Sequence, residues 1–235
     1  MNTIFSEKIT QRKEKAGIPI IPDIKFISPK DGDLMRGRDP EEIALLLEAL
    51  GAPALSVVTE EENFGGSIAL LQRLANKVTI PILRKDFINS KDDLKRTVDS
   101  GASAILLMCA VQPEKLLTEL YEQALFIGLE PLVEAHTKEE LLFVNKLGAK
   151  LVGINNKNIL ELEKDNGMVA TTSTLAQFAP KDAILISESS IASHTQAHCA
   201  IEAGADAVLI GTAILQAENI SNAYNTICYG NINNV

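Results

Sequence analysis

Eight short runs, nearly unbroken in apolar and β-branched residues, recur along the chain with a stretch of helical period after almost every one. The runs are 18–26, 54–58, 79–83, 104–108, 130–133, 151–154, 183–186 and 207–210. A strand apolar on both faces must be covered on both, which is the condition of a parallel sheet under helices. Helical patterns at 40–50, 67–75, 90–100, 113–126, 138–147, 172–178 and 193–203 supply that cover. Ser67, Ser90, Thr137 and Ser193 stand where an N-cap belongs. Gly51, Gly101, Gly148 and Gly204 each precede alanine where a helix must stop and return the chain to the sheet. With right-handed crossovers, eight such units close into a (β/α)8 TIM barrel, an α/β fold. An open doubly wound sheet is the other arrangement, but no G-x-G-x-x-G follows the first strand. A length of 235 residues, close to the roughly 250 typical of such barrels, predicts one domain over residues 1–235. Residues 1–17 are expected to form a short helical extension.

Charge and cysteine usage narrow the function. A formal net charge of −9 argues against nucleic acid, which demands clustered Lys and Arg. A small anionic substrate remains compatible, since the charge within a pocket can oppose the net charge. Cys109, Cys199 and Cys228 are odd in number and lack metal-ligand spacing, so they read as free thiols. No apolar run reaches the roughly 18–20 residues that span a bilayer, and 1–17 has no apolar core of a secretory signal. A cytoplasmic enzyme is the expectation, with no membrane partner.

Active sites of such barrels lie at the C-terminal ends of the strands. Asp23 and Lys25 alternate onto one side of the first strand, and a charged pair aimed into a barrel mouth is costly unless paired or functional. After the third strand, one of Arg84 and Lys85 must face inward and the other pair outside. Glu134 ends the fifth apolar run at the height of a general acid or base. His136, two residues on, suits a helix-entry role before Thr137. Asn155 and Asn156 end the sixth run, where amides orient a substrate or form a turn. Ser187–Glu188–Ser189–Ser190 and Gly211–Thr212 end the last two runs. Small residues there let backbone N–H groups approach an anion, with a short helix starting near Thr212. Phosphate is the natural guest.

With these ends assembled, the chain resembles the indole-3-glycerol phosphate synthase family from Pro22 to about Leu215. The likeness rests on K-x-x-S-P at 25–29, SVVTEEENFGGS at 56–67, PILRKDFI at 81–88, LVEAH at 132–136, GINNKN at 153–158, SES at 187–189 and AGADAVLIGTAIL at 203–215. FGGS followed by LRKDF is the most specific element; other phosphate-binding barrels share only the last two. The resemblance implies an anthranilate ring N-linked to deoxyribulose 5-phosphate as substrate, closed to an indole with loss of carbon dioxide and water. It implies Lys85 as general acid, its pKa lowered by burial near other cations, and Lys25 as holder of the substrate carboxylate. Glu134 would serve the dehydration, Glu188 would hold the lysines, and Asn155 would orient the carboxylate or a hydroxyl. Ser28, Ser189, Ser190, Gly211 and Thr212 would surround the phosphate, and Phe64 and Phe87 would flank the ring. No metal or organic cofactor is implied. A diverged paralogue on a related aryl-amino sugar phosphate, or one releasing indole from indole-3-glycerol phosphate, is the alternative. A non-catalytic phosphate-binding barrel is the second.

The chain also departs from the family pattern. Asp23 stands in place of glutamate, Phe26 and Ile27 in place of basic or small residues, Ser190 in place of glycine. Lys157 replaces arginine, which loses bidentate recognition of a carboxylate. The extension before the first strand, which in the family helps to cover the site, is shorter here, leaving an apolar patch for a second copy or a pathway-enzyme partner. The segment 163–169 also differs from the usual form.

Overall fold

The computed structural model describes residues 3–164 and 167–230. Eight parallel strands close into a barrel in chain order: β1 (Ile20–Ile24), β2 (Leu55–Val58), β3 (Ile82–Lys85), β4 (Ala104–Met108), β5 (Glu130–Ala135), β6 (Leu151–Asn155), β7 (Ile184–Glu188) and β8 (Ala207–Ile210), with β8 returning to β1. The expected TIM barrel is the observed fold. Helices α2 (Pro40–Ala49), α3 (Ile68–Ala75), α4 (Lys91–Asp99), α5 (Glu114–Phe126), α6 (Lys138–Leu147), α7 (Ala170–Leu175) and α8 (His194–Glu202) follow the strands in turn, and α9 (Thr212–Leu215) and α10 (Ile220–Tyr229) follow β8. All four expected caps form: Ser67, Ser90, Thr137 and Ser193 each accept the backbone N–H three residues on. The four helix-end glycines take φ between 74° and 109°, a region costly for any side chain.

Period-two alternation divides the core. Even-numbered positions of β1 and β3 (Ile20, Ile24, Ile82) and odd ones of β4 and β5 (Ile105, Leu107, Val133) pack under the helices. The opposite set, including Ile21, Leu83, Leu106, Met108, Leu132, Leu151, Ile186 and Leu209, fills the barrel interior. The same parity, carried toward the C-terminal ends, turns Asp23, Lys85, Glu134, Asn155 and Glu188 inward.

Several strand boundaries differ from expectation: β1 covers only Ile20–Ile24 of the run 18–26. β3 begins at Ile82 rather than 79, because Pro81 has no N–H for the ladder and Thr79 instead bonds Glu48 through its N–H and hydroxyl. β3, β5 and β7 each run two residues further than the apolar runs, taking Lys85, Glu134 and Glu188 into the strands. Ladder register places Glu134 beside Gly153, and Asn155 beside Glu188. These acids and the lysine are therefore fixed by the sheet, the most rigid part of the fold.

Helix α1 (Ile4–Lys13) lies within the segment 1–17, of which Met1 and Asn2 lie outside the described residues. Phe5 and Ile9, both fully buried, join the interior cluster, so α1 closes the N-terminal end of the barrel, away from the mouth. Glu130, at the start of β5, accepts the N–H groups of Phe5 (2.6 Å) and Ser6 (3.1 Å), giving α1's first turn partners and a favourable negative charge.

Candidate active site

A cavity at the C-terminal end of the barrel has two compartments. One is lined by Val58, Phe64, Phe87, Leu106, Met108 and Ile159. The other is lined by Lys157, Ser189, Ser190, Gly211 and Thr212 among others. Asp23, Lys25, Lys85 and Glu163 line both, and so form the junction. An apolar, aromatic-walled chamber suits a flat ring. The second chamber, rich in small residues and bordered by the start of α9, suits an anion.

Lys85 is the inward member of the basic pair. Its Nζ donates to Glu188 Oε2 at 3.0 Å and lies 4.0 Å from Glu163 Oε1. Arg84 points outward and is buried: it donates to Thr59, to the Asp93 carbonyl and Thr97, and to Asp86 at 2.8 Å. Burial works against the charge on Lys85, but Glu188, Glu163, Asp23 and Glu134 outweigh it and hold its pKa well above the usual lysine value. That corrects the expectation of a lowered pKa, for the neighbours that matter are four carboxylates rather than cations.

Glu134 and Glu188 are completely buried beneath the cavity. Burial, then the charge of Glu188, push Glu134 up to about 7, against the pull of Lys85 and His136. Glu188 is also raised by burial, with Lys85 opposing. Asn155 donates to Glu134 Oε2 at 3.2 Å and accepts the Lys157 N–H, so its amide orients a carboxylate of the protein. His136 has the expected helix-entry role, its N–H donating to Glu140, while its ring lies 3.5 Å from Glu134 and 3.7 Å from Glu140. Asp23 accepts the Ser56 hydroxyl at 2.6 Å; among the described residues no ion pair joins it to Lys25 or Lys85.

The structure thus brings together Asp23, Lys25, Lys85, Glu134, Asn155 and Glu188 with Phe64, Phe87, Lys157, Ser189, Ser190, Gly211 and Thr212. Ser28 stands apart: it does not line either compartment, and its hydroxyl donates to Asp31 within the loop after β1. Ser189 and Ser190 hold left-handed backbone, φ 66° and 59°. The side chain of Ser190 is accommodated by Gly167, where a Cβ would lie 2.2 Å from Ser190 Oγ. Lys25 lies 5.8 Å from the centroid of the Phe64 ring.

Glu163 was not among the expected site residues. Its carboxylate lies 3.5 Å from Lys25 and accepts the Ser189 hydroxyl at 3.2 Å. Despite burial, Lys25, Lys85, Lys157 and that hydrogen bond lower its pKa to about 2. It reaches the lysines because Leu162 and Glu163 both turn left-handed (φ 52° and 57°), which no local sequence signal announces. Asp165 and Asn166, in the same unusual segment, lie outside the described residues. Asn156 ties this loop to β7, donating to Ser187 and to the Glu188 and Ser189 carbonyls while accepting from Thr172. No group of three or more His, Cys, Asp or Glu among the described residues is arranged to hold a metal ion.

The family model described as indole-3-glycerol phosphate synthase matches residues 2–227. A relative from Pyrococcus furiosus with that name is 44% identical over 216 residues, 92% of this chain and 93% of its own. One from Thermococcus kodakarensis is 42% identical, covering 84% of this chain and 86% of its own. One from Streptococcus sanguinis is 39% identical, covering 87% and 78% respectively.

Proposed function

The chain belongs to the indole-3-glycerol phosphate synthase family, and we propose that it converts 1-(2-carboxyphenylamino)-1-deoxyribulose 5-phosphate to indole-3-glycerol phosphate, a carboxy-lyase step of tryptophan biosynthesis. The observation that carries this reading is the junction itself: Lys25 and Lys85 stand where an aromatic-walled chamber meets one fit for phosphate. A substrate with a ring at one end and a phosphate at the other spans the two chambers and puts its ketone and ring carboxylate between the lysines.

Ring closure joins the ring carbon bearing the carboxylate to the ketone carbon, and the ketone oxygen takes a proton from Lys85. Four surrounding carboxylates keep Lys85 charged at neutral pH, so the proton is present when needed. Lys25 holds the ring carboxylate until it leaves as carbon dioxide, its bonding electrons returning to the ring. The new hydroxyl then departs as water, pushed by the ring nitrogen's electron pair, and a ring proton is lost to restore aromaticity. Glu134, with a pKa of about 7, exchanges protons readily in that stage. Glu188 keeps Lys85 in position. Lys157 and the small residues after β7 and β8 take the phosphate.

Free thiols at Cys109, Cys199 and Cys228 fit a reducing compartment, and we place the reaction in the cytoplasm. Among the described residues no helix is long and apolar enough to cross a membrane. The test is indole fluorescence after mixing protein with the carboxyphenylamino substrate. Product is expected from the wild type, and Lys85→Ala is expected to lower kcat by about 10²–10⁴-fold. No product at high enzyme concentration defeats the assigned reaction; turnover of Lys85→Ala within about threefold of wild type defeats the general-acid role.

A further inference from the structure

We propose that Glu163 is a specificity-determining residue whose carboxylate holds the place between Lys25 and Lys85 that the substrate's ring carboxylate takes when it binds. This deepens the function proposed above and rests on it. Glu163 is the one acid that faces both lysines, at 3.5 and 4.0 Å, among the ion pairs of the described residues. It lines both compartments, so a molecule extending from one to the other must pass it.

The other carboxylates around the lysines are differently held. Glu134 and Glu188 lie on strands beneath the cavity, and Asp23 is bonded to Ser56 across the β1–β2 ladder. Glu163 comes from the loop after β6, on two successive left-handed residues that cost energy in their own right. A carboxylate on such a segment can be exchanged for another without disturbing the barrel. Lys85 keeps Glu188, but the buried Lys25 has its ion pair with Glu163; a buried ammonium without an anion is costly, so the exchange keeps Lys25 neutralised in both states.

The exchange selects for substrate charge. A ligand with a carboxylate replaces the anion it displaces, whereas one without it must leave Glu163 in place or strand Lys25. The reaction then removes that carboxylate as carbon dioxide. The product has nothing to hold the lysines against Glu163, whose return favours release.

The test uses two unreactive probes: the substrate with its ketone reduced to an alcohol, and the same molecule lacking the ring carboxylate. Titration of the full chain with each yields an affinity ratio, carboxylated over decarboxylated. In Glu163→Gln the competing anion is gone and Lys25 loses its ion pair, while Lys85 keeps Glu188, so the ratio is expected to rise about tenfold or more over wild type. Glu163→Asn removes the same charge with a residue that tolerates left-handed backbone, and serves if the glutamine variant does not fold. An unchanged or smaller ratio in a folded variant overturns the exchange, and is what a merely structural or lysine-positioning role predicts. Turnover is read separately. A wild type that binds both probes but makes no indole product counts against the assigned reaction, while the ratio still judges Glu163.

Discussion

Gly153→Ala, a change of one methyl in β6, tests whether the buried Glu188–Lys85 pair sets the rate. A Cβ at position 153 would lie 2.1 Å from Glu188 Oε1 and 3.2 Å from its Cδ, where ordinary contact begins at 3.4 Å. The strand cannot recede, because Glu134 and Ile186 flank Gly153 in the ladder on either side. Glu188 must therefore swing aside by about 1.3 Å, breaking its 3.0 Å bond to Lys85. A displacement near 1 Å in a catalytic group costs about 10²-fold, and overpacking a filled core costs about 1–3 kcal/mol. We expect kcat to fall about 10²-fold in steady-state indole fluorescence, and urea unfolding to show a loss of stability in that range. Because Glu188 helps to raise the Lys85 pKa, the alkaline limb of the kcat profile should also move to lower pH. In a Glu188→Ala background the methyl meets no carboxylate, so adding Gly153→Ala should change kcat by less than about threefold. Turnover of Gly153→Ala close to wild type, or losses that simply multiply in the double variant, would refute the reasoning.

Further outcomes follow from the same geometry. The acid limb of kcat/KM should report a group near pH 7 and vanish in Glu134→Gln, since burial and Glu188 push Glu134 up to about 7; a limb that persists in the variant assigns it to another group. Glu163 is lowered to about 2, so its contribution, roughly 3 kcal/mol from the unit-shift equivalence, is full above its unfolded pKa and lost as pH falls toward 2. The stability gap between wild type and Glu163→Gln should accordingly narrow from pH 6 to pH 3 in urea titrations, and a constant gap would contradict the ion pairing. Phe5→Ala opens the bottom of the barrel and should cost about 3–5 kcal/mol with KM unchanged, because α1 lies away from the mouth. Arg84→Ala strands Asp86 and the Thr59 and Thr97 contacts and should destabilise by about 3–5 kcal/mol, with folded enzyme retaining most of its kcat.

The barrel was legible because its signals are local. Apolar runs, caps such as Ser67 and Thr137, and helix-end glycines each act over a few residues, and all pointed to the same eightfold repeat. Parity was legible only in part: alternation requires one of Arg84 and Lys85 to turn inward, but Ile82 and Leu83 are both buried, and only the closed barrel shows that Lys85 shares the interior with Leu83. Other features depended on what the closed barrel brings together. Gly153 is glycine because a carboxylate from the next strand lies against it, a fact absent from its own neighbourhood in the chain. The sign of the Lys85 shift came from four acids contributed by the strand 1, 5 and 7 ends and the loop after β6, whose distances only closure defines. Glu163 entered the site through two left-handed residues in a loop whose sequence stood out as unusual but gave no sign of that turn, and Ser28 left it for a bond to its own turn. Local periodicity and capping determined the architecture of this chain; electrostatics, which act through space, were decided by the tertiary structure.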